Sequence, residues 1–147
     1  MSRELPIILL VEDDEDDVFL MERALSQTRL EVTMHIATNG QEAIDYLSGN
    51  GPYGDRAAHP LPALIFLDLK LPFVNGFEVL EWMRSRPALS DIQVLVLTSS
   101  PEDRDRQRAQ NLGVKAYLVK PPTPQMLLDA FRFFQPPATA LEKAGTS

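Results

Sequence analysis

The stretch ILLVEDDEDD, residues 8–17, places four apolar residues directly before six acidic ones. The apolar half is typical of a strand that is buried on both faces of a parallel sheet. Like charges repel, so gathering carboxylates at the end of a buried strand costs stability unless a cation neutralises them. The stretch therefore predicts a buried first strand with a cation site beyond its carboxyl end.

The length and composition favour a single globular domain. The chain has 147 residues, enough to bury one sizeable core, and 44% of them are hydrophobic. No apolar run reaches the roughly 18 residues that a membrane-spanning helix needs, so we expect no membrane segment. The net charge of −7 argues against binding to nucleic acid, and the absence of cysteine is consistent with a cytoplasmic location.

Five short apolar runs alternate with segments of helical spacing. The runs span residues 7–11, 32–36, 64–68, 94–98 and 116–119. Helical spacing follows each run, at 16–27, at 40–47, at 76–86 and in two later segments. Regular alternation of this kind predicts five βα units in a doubly wound α/β domain with a parallel sheet and right-handed crossovers.

The last two helices carry recognisable terminal signals. Ser100 is predicted to cap the fourth helix, with Pro101 at its first position and a capping box completed by Asp103. Gly113 is expected to end that helix. Thr123 is predicted to cap the fifth helix, because a proline and an amphipathic run follow it.

The predicted domain occupies residues 1–134, and residues 135–147 form a Pro-rich and then polar tail that we expect to be flexible. Residues 48–63 form a long Gly- and Pro-rich loop of the kind that is often functional. Phe133 cannot face the same core as the other aromatic residues of the last helix. Its exposure would favour a homodimer or another partner at that helix.

Polar residues collect where the predicted strands end. In open α/β sheets, ligands bind beyond the carboxyl ends of the strands. The sequence places there Glu12, Asp13, Asp68, Thr98 and Lys120. Several carboxylates without cysteine or histidine suit Mg²⁺, which takes one or two carboxylates and often phosphate oxygens. An ammonium and a hydroxyl suit phosphoryl oxygens, and a carboxylate can attack phosphorus, so the edge is predicted to hold Mg²⁺ and a phosphoryl group.

Four motifs then resemble the receiver domain of two-component response regulators, in its single-domain form. They are LLVEDD at the first strand, LIFLDLKLPFVNG at the third, VLTSS at the fourth and AYLVKP at the fifth. The resemblance covers residues 5–134, and its specificity comes from all four motifs occurring in order at predicted strand ends. It implies a flavodoxin-like fold, with a five-stranded parallel sheet of order 2-1-3-4-5 and five helices.

The resemblance also implies roles at the acidic edge. Asp68 would be the phosphoacceptor and Lys120 would contact the phosphoryl group. Asp13 would bind Mg²⁺ directly, together with Asp68 and the backbone carbonyl of Lys70, while Glu12 would act through water. Mn²⁺ or Ca²⁺ could substitute for Mg²⁺. Many receivers have aspartate where this chain has Glu12, but the longer side chain reaches the same water shell.

Two further residues correspond to the conformational switch of the family. The resemblance makes Thr98 the switch hydroxyl and Tyr117 the aromatic switch, which would turn inward on phosphorylation. It also makes Lys120–Pro121 a candidate cis peptide. The protein would thus accept phosphate on itself and, as a non-enzyme, show only Mg²⁺-dependent self-phosphorylation and dephosphorylation.

The long loop and the motif LDLKLP further resemble response regulators that are paired with phytochrome-type histidine kinases. This likeness implies a sensor histidine kinase as partner, such as a bacteriophytochrome, and a downstream protein as target. It also implies that no output domain follows, and that the chain can form a homodimer through its last helix.

Three other functions compete with this interpretation. A phosphatase with an aspartyl-phosphate intermediate would need an acid two residues beyond Asp68, where Lys70 stands. A flavodoxin-like cofactor protein would need a hydroxyl- and Gly-rich phosphate loop after the first strand, where the acidic run would instead repel phosphate. A degenerate receiver could serve only as a scaffold, although the acceptor residues are all present.

Four remaining residues receive ordinary roles. Asp16 and Asp17 are assigned to a favourable interaction with the dipole of the first helix. His35 and His59 lie too far apart in the pattern to indicate a metal site, and we assign them to strand or surface positions.

Overall fold

The structure of the protein is a computed structural model that describes residues 5–133, apart from the side chain of Phe133. The tail at 135–147 lies outside the described residues, so its flexibility stays a prediction. The expected exposure of Phe133 stays a prediction for the same reason.

Five strands alternate with five α-helices along the described residues, as the sequence predicts. The strands are β1 (Ile7–Val11), β2 (Thr33–Ala37), β3 (Leu64–Leu67), β4 (Gln93–Thr98) and β5 (Ala116–Val119). The helices are α1 (Glu15–Thr28), α2 (Gly40–Ser48), α3 (Gly76–Arg84), α4 (Asp103–Asn111) and α5 (Pro124–Phe133). Within residues 5–133, no helix combines the length and the apolar character that crossing a bilayer would require.

The strands form one parallel sheet of order β2-β1-β3-β4-β5, which confirms the predicted flavodoxin-like topology. Ile8 in β1 lies beside Met34 of β2 and Leu64 of β3. After β1 the chain adds β2 on one side of it, and it then crosses back to add β3 on the other side. The direction in which strands are added therefore reverses next to β1. The crevice at this switch point lies beyond the ends of β1 and β3, where the acidic residues follow.

Alternate residues of the strands serve two separate cores. Ile8 and Leu10 pack with Leu127 in the layer of α1 and α5. Leu9 and Val11 pack in the layer of α2, α3 and α4 on the other face. All five side chains are at most 2% exposed. Both faces of the sheet are therefore covered, which explains why the strands read as continuous apolar runs.

The fourth helix begins later than predicted. It starts at Asp103, and its N-cap residue Glu102 makes no side-chain capping hydrogen bond. Ser100 Oγ instead donates to Asp105 Oδ2 at 2.8 Å and accepts from the Glu102 N–H at 3.4 Å. The prediction that Ser100 caps the helix with Pro101 as its first residue is wrong, because the buried hydroxyl holds the β4–α4 loop together.

The fifth helix begins as predicted. The Met126 N–H donates to Thr123 Oγ1 at 3.1 Å, and the helix itself starts at Pro124. The peptide bond between Lys120 and Pro121 is cis, also as predicted.

The long loop at 48–63 folds back over the edge of the sheet. The Arg56 guanidinium donates to the backbone carbonyl of Tyr46 at 2.7 Å, and the Tyr46 hydroxyl donates to the carbonyl of Pro60 at 2.8 Å. His35 lies in β2 as expected, but the loop brings the ring of His59 to 6.1 Å from it. The distance between the two histidines along the chain therefore does not reflect their distance in space.

Candidate functional site

One ammonium group joins three carboxylates at the carboxyl edge of the sheet. Lys120 directly follows β5, and its Nζ lies 2.6 Å from Glu12 Oε1, 2.7 Å from Asp17 Oδ2 and 3.1 Å from Asp68 Oδ2. A lysine ammonium carries three N–H donors, so these contacts can use all of them. The fold thus brings together residues that follow β1, β3 and β5 and one from the first turn of α1.

Backbone amides fix the orientation of the two most buried carboxylates. Glu12 is 3% exposed and Asp68 is 6% exposed. The second oxygen of each accepts a hydrogen bond from the amide two residues further on, Asp14 N–H to Glu12 Oε2 at 3.2 Å and Lys70 N–H to Asp68 Oδ1 at 3.2 Å. Burying a carboxylate is costly unless it is paired, and here one oxygen faces the ammonium while the other is held by the chain.

The electrostatics of this cluster are unbalanced. Burial raises the pKa of Glu12 to about 7, against the opposing effect of Lys120, and the negative charge of Asp68 adds to the rise. Burial alone would lower the pKa of Lys120, but its hydrogen bonds to Asp17 and Glu12 and the charge of Asp68 raise that pKa overall. One lysine therefore does not offset the cluster fully, and the edge favours a further positive charge.

This imbalance predicts a stability change with pH in the metal-free protein. The pKa of Glu12 is raised from 4.5, its ordinary value in an unfolded chain, to about 7 in the folded protein. The contribution of Glu12 to the free energy of unfolding is therefore complete below the pKa of the unfolded chain, and it is lost as the pH rises through the pKa of the folded protein. Relative to Glu12→Gln, the wild type should lose roughly 3 kcal/mol of unfolding free energy over that window. Urea denaturation in chelator at several pH values measures this, and a constant difference between the two proteins would contradict it.

Three carboxylates at the edge can converge on one cation. Oxygens of Glu12, Asp13 and Asp68 lie within 4.8 Å of one another, and Asp13 is exposed at the mouth of the group. Oxygen ligands without nitrogen or sulfur suit hard divalent cations such as Mg²⁺, Mn²⁺ and Ca²⁺. The donor set therefore fits the cation that the sequence predicts.

A glycine allows α3 to begin directly behind the acceptor candidate. The Gly76 N–H donates to the Leu69 carbonyl at 3.0 Å. A Cβ at this position would lie 2.3 Å from the Asp68 carbonyl oxygen and 2.7 Å from Leu69 Cα. Asn75 and Glu78 form a capping box at the same helix start. The end of β3 is thus packed tightly against a capped helix, which fixes the backbone that carries Asp68.

The predicted switch residues lie on β4 and β5, the two strands beyond β3 in the sheet. Thr98 ends β4, is fully buried, and its Oγ1 accepts the Ser100 N–H at 3.4 Å. The Tyr117 hydroxyl donates to the Ser100 carbonyl at 2.8 Å, and the guanidinium of Arg106 lies 4.7 Å from the centre of the tyrosine ring. Tyr117 is 7% exposed, so its ring already points inward here. Both side chains contact the β4–α4 loop at Ser100.

Sequence reasoning missed the role of Asp17. It was assigned to the helix dipole, as was Asp16, but it reaches Lys120 while Asp16 is exposed. A signal for this contact was present, because Asp17 precedes the buried residues Met21 and Ala24 by four and seven positions. That spacing places Asp17 on the inner face of α1.

Comparisons with known proteins agree with this geometry. A sequence model of the response regulator receiver domain matches residues 8–132. The response regulator Rcp1 from Synechocystis sp. is 36% identical over 129 residues, which cover 88% of this chain and 84% of Rcp1.

Solved structures extend the likeness to three dimensions. The bacteriophytochrome response regulator RtBRR is 43% identical and superposes with a TM-score of 0.78, over 87% of this chain and 76% of that one. The Mn²⁺-bound form of Rcp1 is 32% identical and superposes with a TM-score of 0.74, over 88% of this chain and 93% of that one.

Proposed function

The chain belongs to the response regulator receiver family, and we propose that Asp68 is its phosphoacceptor. Proteins of this family act in phosphorelay signalling, and their partners are histidine kinases. The choice of Asp68 rests on its contact with Lys120. The carboxylate of Asp68 is buried at the end of the central strand β3, and its Oδ2 lies 3.1 Å from the Lys120 ammonium.

The proposed reaction follows from the surroundings of Asp68. A carboxylate oxygen attacks the phosphorus of a phosphohistidine, and an O–P bond forms as the P–N bond breaks. The electron pair of the broken bond stays on the donor imidazole. The Lys70 N–H donates a hydrogen bond to Asp68 Oδ1 and keeps the carboxylate oriented. Lys120 lies where its ammonium can neutralise negative charge on the phosphoryl oxygens.

The acidic cluster would hold a divalent cation beside the acceptor, and we propose Mg²⁺, with Mn²⁺ or Ca²⁺ as substitutes. Asp13 and Asp68 would bind it directly with the Lys70 backbone carbonyl, and Glu12 would bind it through water. When bound, such a cation supplies positive charge to the phosphoryl oxygens. The chain would then phosphorylate and dephosphorylate itself and turn over no separate substrate.

The proposed response to phosphorylation runs through the β4–α4 loop. A phosphoryl dianion on Asp68 attracts a hydroxyl donor, and the Thr98 side chain is the candidate. Thr98 and Tyr117 both contact Ser100, so a shift of one hydroxyl changes the bonding of the loop that the tyrosine holds. Since the ring already points inward, phosphorylation would stabilise this position rather than create it. The surface of α4, β5 and α5 would carry the signal.

The partners follow from the family and its relatives. The kinase is proposed to be a bacteriophytochrome, because RtBRR and a second protein of similar structure, AtBRR, are bacteriophytochrome response regulators. We propose a cytoplasmic location and a downstream protein as target. A photoreceptor kinase that transfers no phosphate to this chain, while another histidine kinase does, would contradict the choice of partner.

A homodimer through α5 is a further proposal. The sequence suggests this dimer through the expected exposure of Phe133, but the side chain of Phe133 lies outside the described part of the chain. Leu128 on the same helix is 37% exposed, which offers an apolar contact for a second copy. Light scattering that gives a monomer mass at high concentration, with and without a phosphoryl analogue, would contradict it.

A small phosphodonor tests the proposed function without knowledge of the kinase. Incubation with acetyl phosphate and Mg²⁺ should add one phosphoryl group to the wild type, and peptide mass mapping should place it at Asp68. Chelator should prevent the modification. A phosphoryl group on another residue would overturn the choice of acceptor, and no modification under any condition would favour a scaffold role.

A further inference from the structure

Among the residues that the structure describes, Lys120 has three carboxylate partners, and one of them differs from the other two. Glu12 and Asp68 belong to the group of acids that can converge on a cation, whereas Asp17 does not. Asp68 is also the proposed acceptor. With a cation bound, Glu12 and Asp68 would therefore interact with that cation as well as with Lys120. Asp17 Oδ2 lies 2.7 Å from Lys120 Nζ and is not among the acids of the described chain that can converge on a cation.

We propose that Asp17 is the positioning residue for Lys120, holding its ammonium beside the acceptor while Glu12 and Asp68 engage the cation and the phosphoryl group. This inference rests on the proposed function, since it assigns a task to a side chain within that same site. Asp17 would touch neither the phosphoryl group nor the cation, and it would act through Lys120.

The geometry of α1 suits Asp17 to this task. Its backbone is fixed at the first turn of the helix, where its N–H donates to the N-cap Asp14 Oδ1 at 3.3 Å. Four residues later, Met21 is buried between α1 and the sheet. A short aspartate side chain on such a rigid element has few conformations to lose.

The lysine, by contrast, needs an anchor. Its four-carbon stem is flexible, and its charge is a point that no planar pairing geometry orients. The Lys120 side chain is 12% exposed and that of Asp17 is 28% exposed, so the ion pair is shielded from most of the screening that weakens surface pairs. Burial alone would lower the pKa of Lys120, and the hydrogen bond to Asp17 is the largest of the interactions that raise it.

The neighbouring Asp16 provides a matched control. Asp16 lies on the same first turn with the same charge, but it is exposed, and its N–H donates to the same cap oxygen, Asp14 Oδ1, at 2.8 Å. Asp16→Asn therefore removes the same net charge and the same interaction with the helix dipole as Asp17→Asn. The two variants differ in whether the Lys120 contact is lost.

The test compares the two variants in the full chain with acetyl phosphate at saturating Mg²⁺, with intact mass as the readout. Asp17→Asn should slow phosphorylation by roughly tenfold to a hundredfold, because a catalytic group displaced by about 1 Å can cost ~10²-fold in rate. Asp16→Asn should keep the wild-type rate within about twofold. Calorimetric titration should give Asp17→Asn a Mg²⁺ affinity within about threefold of that of Asp16→Asn, because each variant removes one nearby charge and neither removes an acid that can converge on the cation.

Each result has a defined meaning. Equal rates for the two variants would overturn the inference and leave the proposed function standing. A slower Asp17→Asn whose Mg²⁺ affinity falls in the same proportion would also overturn it, because Asp17 would then act through the cation. Circular dichroism on both variants excludes unfolding as the cause. A wild type that accepts no phosphoryl group would refute the proposed function itself.

Discussion

Asp68→Asn is expected to abolish phosphorylation and, in the same protein, to increase the stability of the metal-free fold. The amide keeps the shape of the side chain and can still accept the Lys70 N–H, but it cannot form an acyl phosphate. Intact mass after incubation with acetyl phosphate and Mg²⁺ should show no added phosphoryl group. A rate that falls only a few-fold would mean that another residue is the acceptor.

The gain in stability follows from the charges around Lys120. Asp68 is 6% exposed, its oxygens lie within 4.8 Å of those of Glu12 and Asp13, and its contact to Nζ is the longest of the three. Removing its charge relieves repulsion and the desolvation of a buried carboxylate, and it leaves the ammonium with two closer partners. We expect urea denaturation in chelator to show a gain of about 1 kcal/mol.

Lys120→Met provides the contrasting control. It leaves three carboxylates around an apolar side chain, and breaking a buried pair by removing one partner is expected to cost about 3 kcal/mol. Its affinity for Mg²⁺ should rise, because the site becomes more negative. Both variants should fail to accept phosphate at the wild-type rate, with stability changes of opposite sign. A loss of stability in Asp68→Asn would show that the Lys120 contact outweighs the repulsion.

The sequence predicted the part of the site that topology dictates. Once five apolar runs are recognised as parallel strands, their carboxyl ends must meet at one edge, so Glu12, Asp68, Thr98 and Lys120 come together although 108 positions separate the first from the last. The buried strands are also the elements whose pattern is strongest, because both of their faces are covered by helices.

Three features escaped because a local rule explained each residue without its distant contact. Asp17 satisfied the helix dipole, so nothing in the local pattern called for Lys120. Ser100 fits a helix cap, yet its hydroxyl donates to the side chain of Asp105 in the first turn of α4, which begins only at Asp103. His59 reaches His35 only because the 48–63 loop folds back, held by hydrogen bonds to the end of α2 and from Tyr46. Loop paths depend on such non-local contacts, which periodicity does not encode.

The packing of α3 against β3 makes the second large effect. Gly76→Ala would place a Cβ 2.3 Å from the Asp68 carbonyl oxygen and 2.7 Å from Leu69 Cα, and both atoms belong to the backbone and cannot rotate away. The helix start must move, which weakens the hydrogen bond from the Gly76 N–H to the Leu69 carbonyl at 3.0 Å. We expect urea denaturation to show a loss of about 3 kcal/mol. Phosphorylation should slow as well, because the displaced backbone carries Asp68.

Gly54→Ala is the control that separates this clash from the general effect of replacing a glycine. Its backbone is right-handed helical, with φ at −66°, and a Cβ there would meet two carbonyl oxygens at an ordinary 3.5 Å. Reducing the freedom of the unfolded chain should leave this variant unchanged or more stable by about 0.5 kcal/mol. Equal stability of the two variants would mean that α3 can shift without cost. In that case the tight junction behind Asp68 would not be what fixes the acceptor in place.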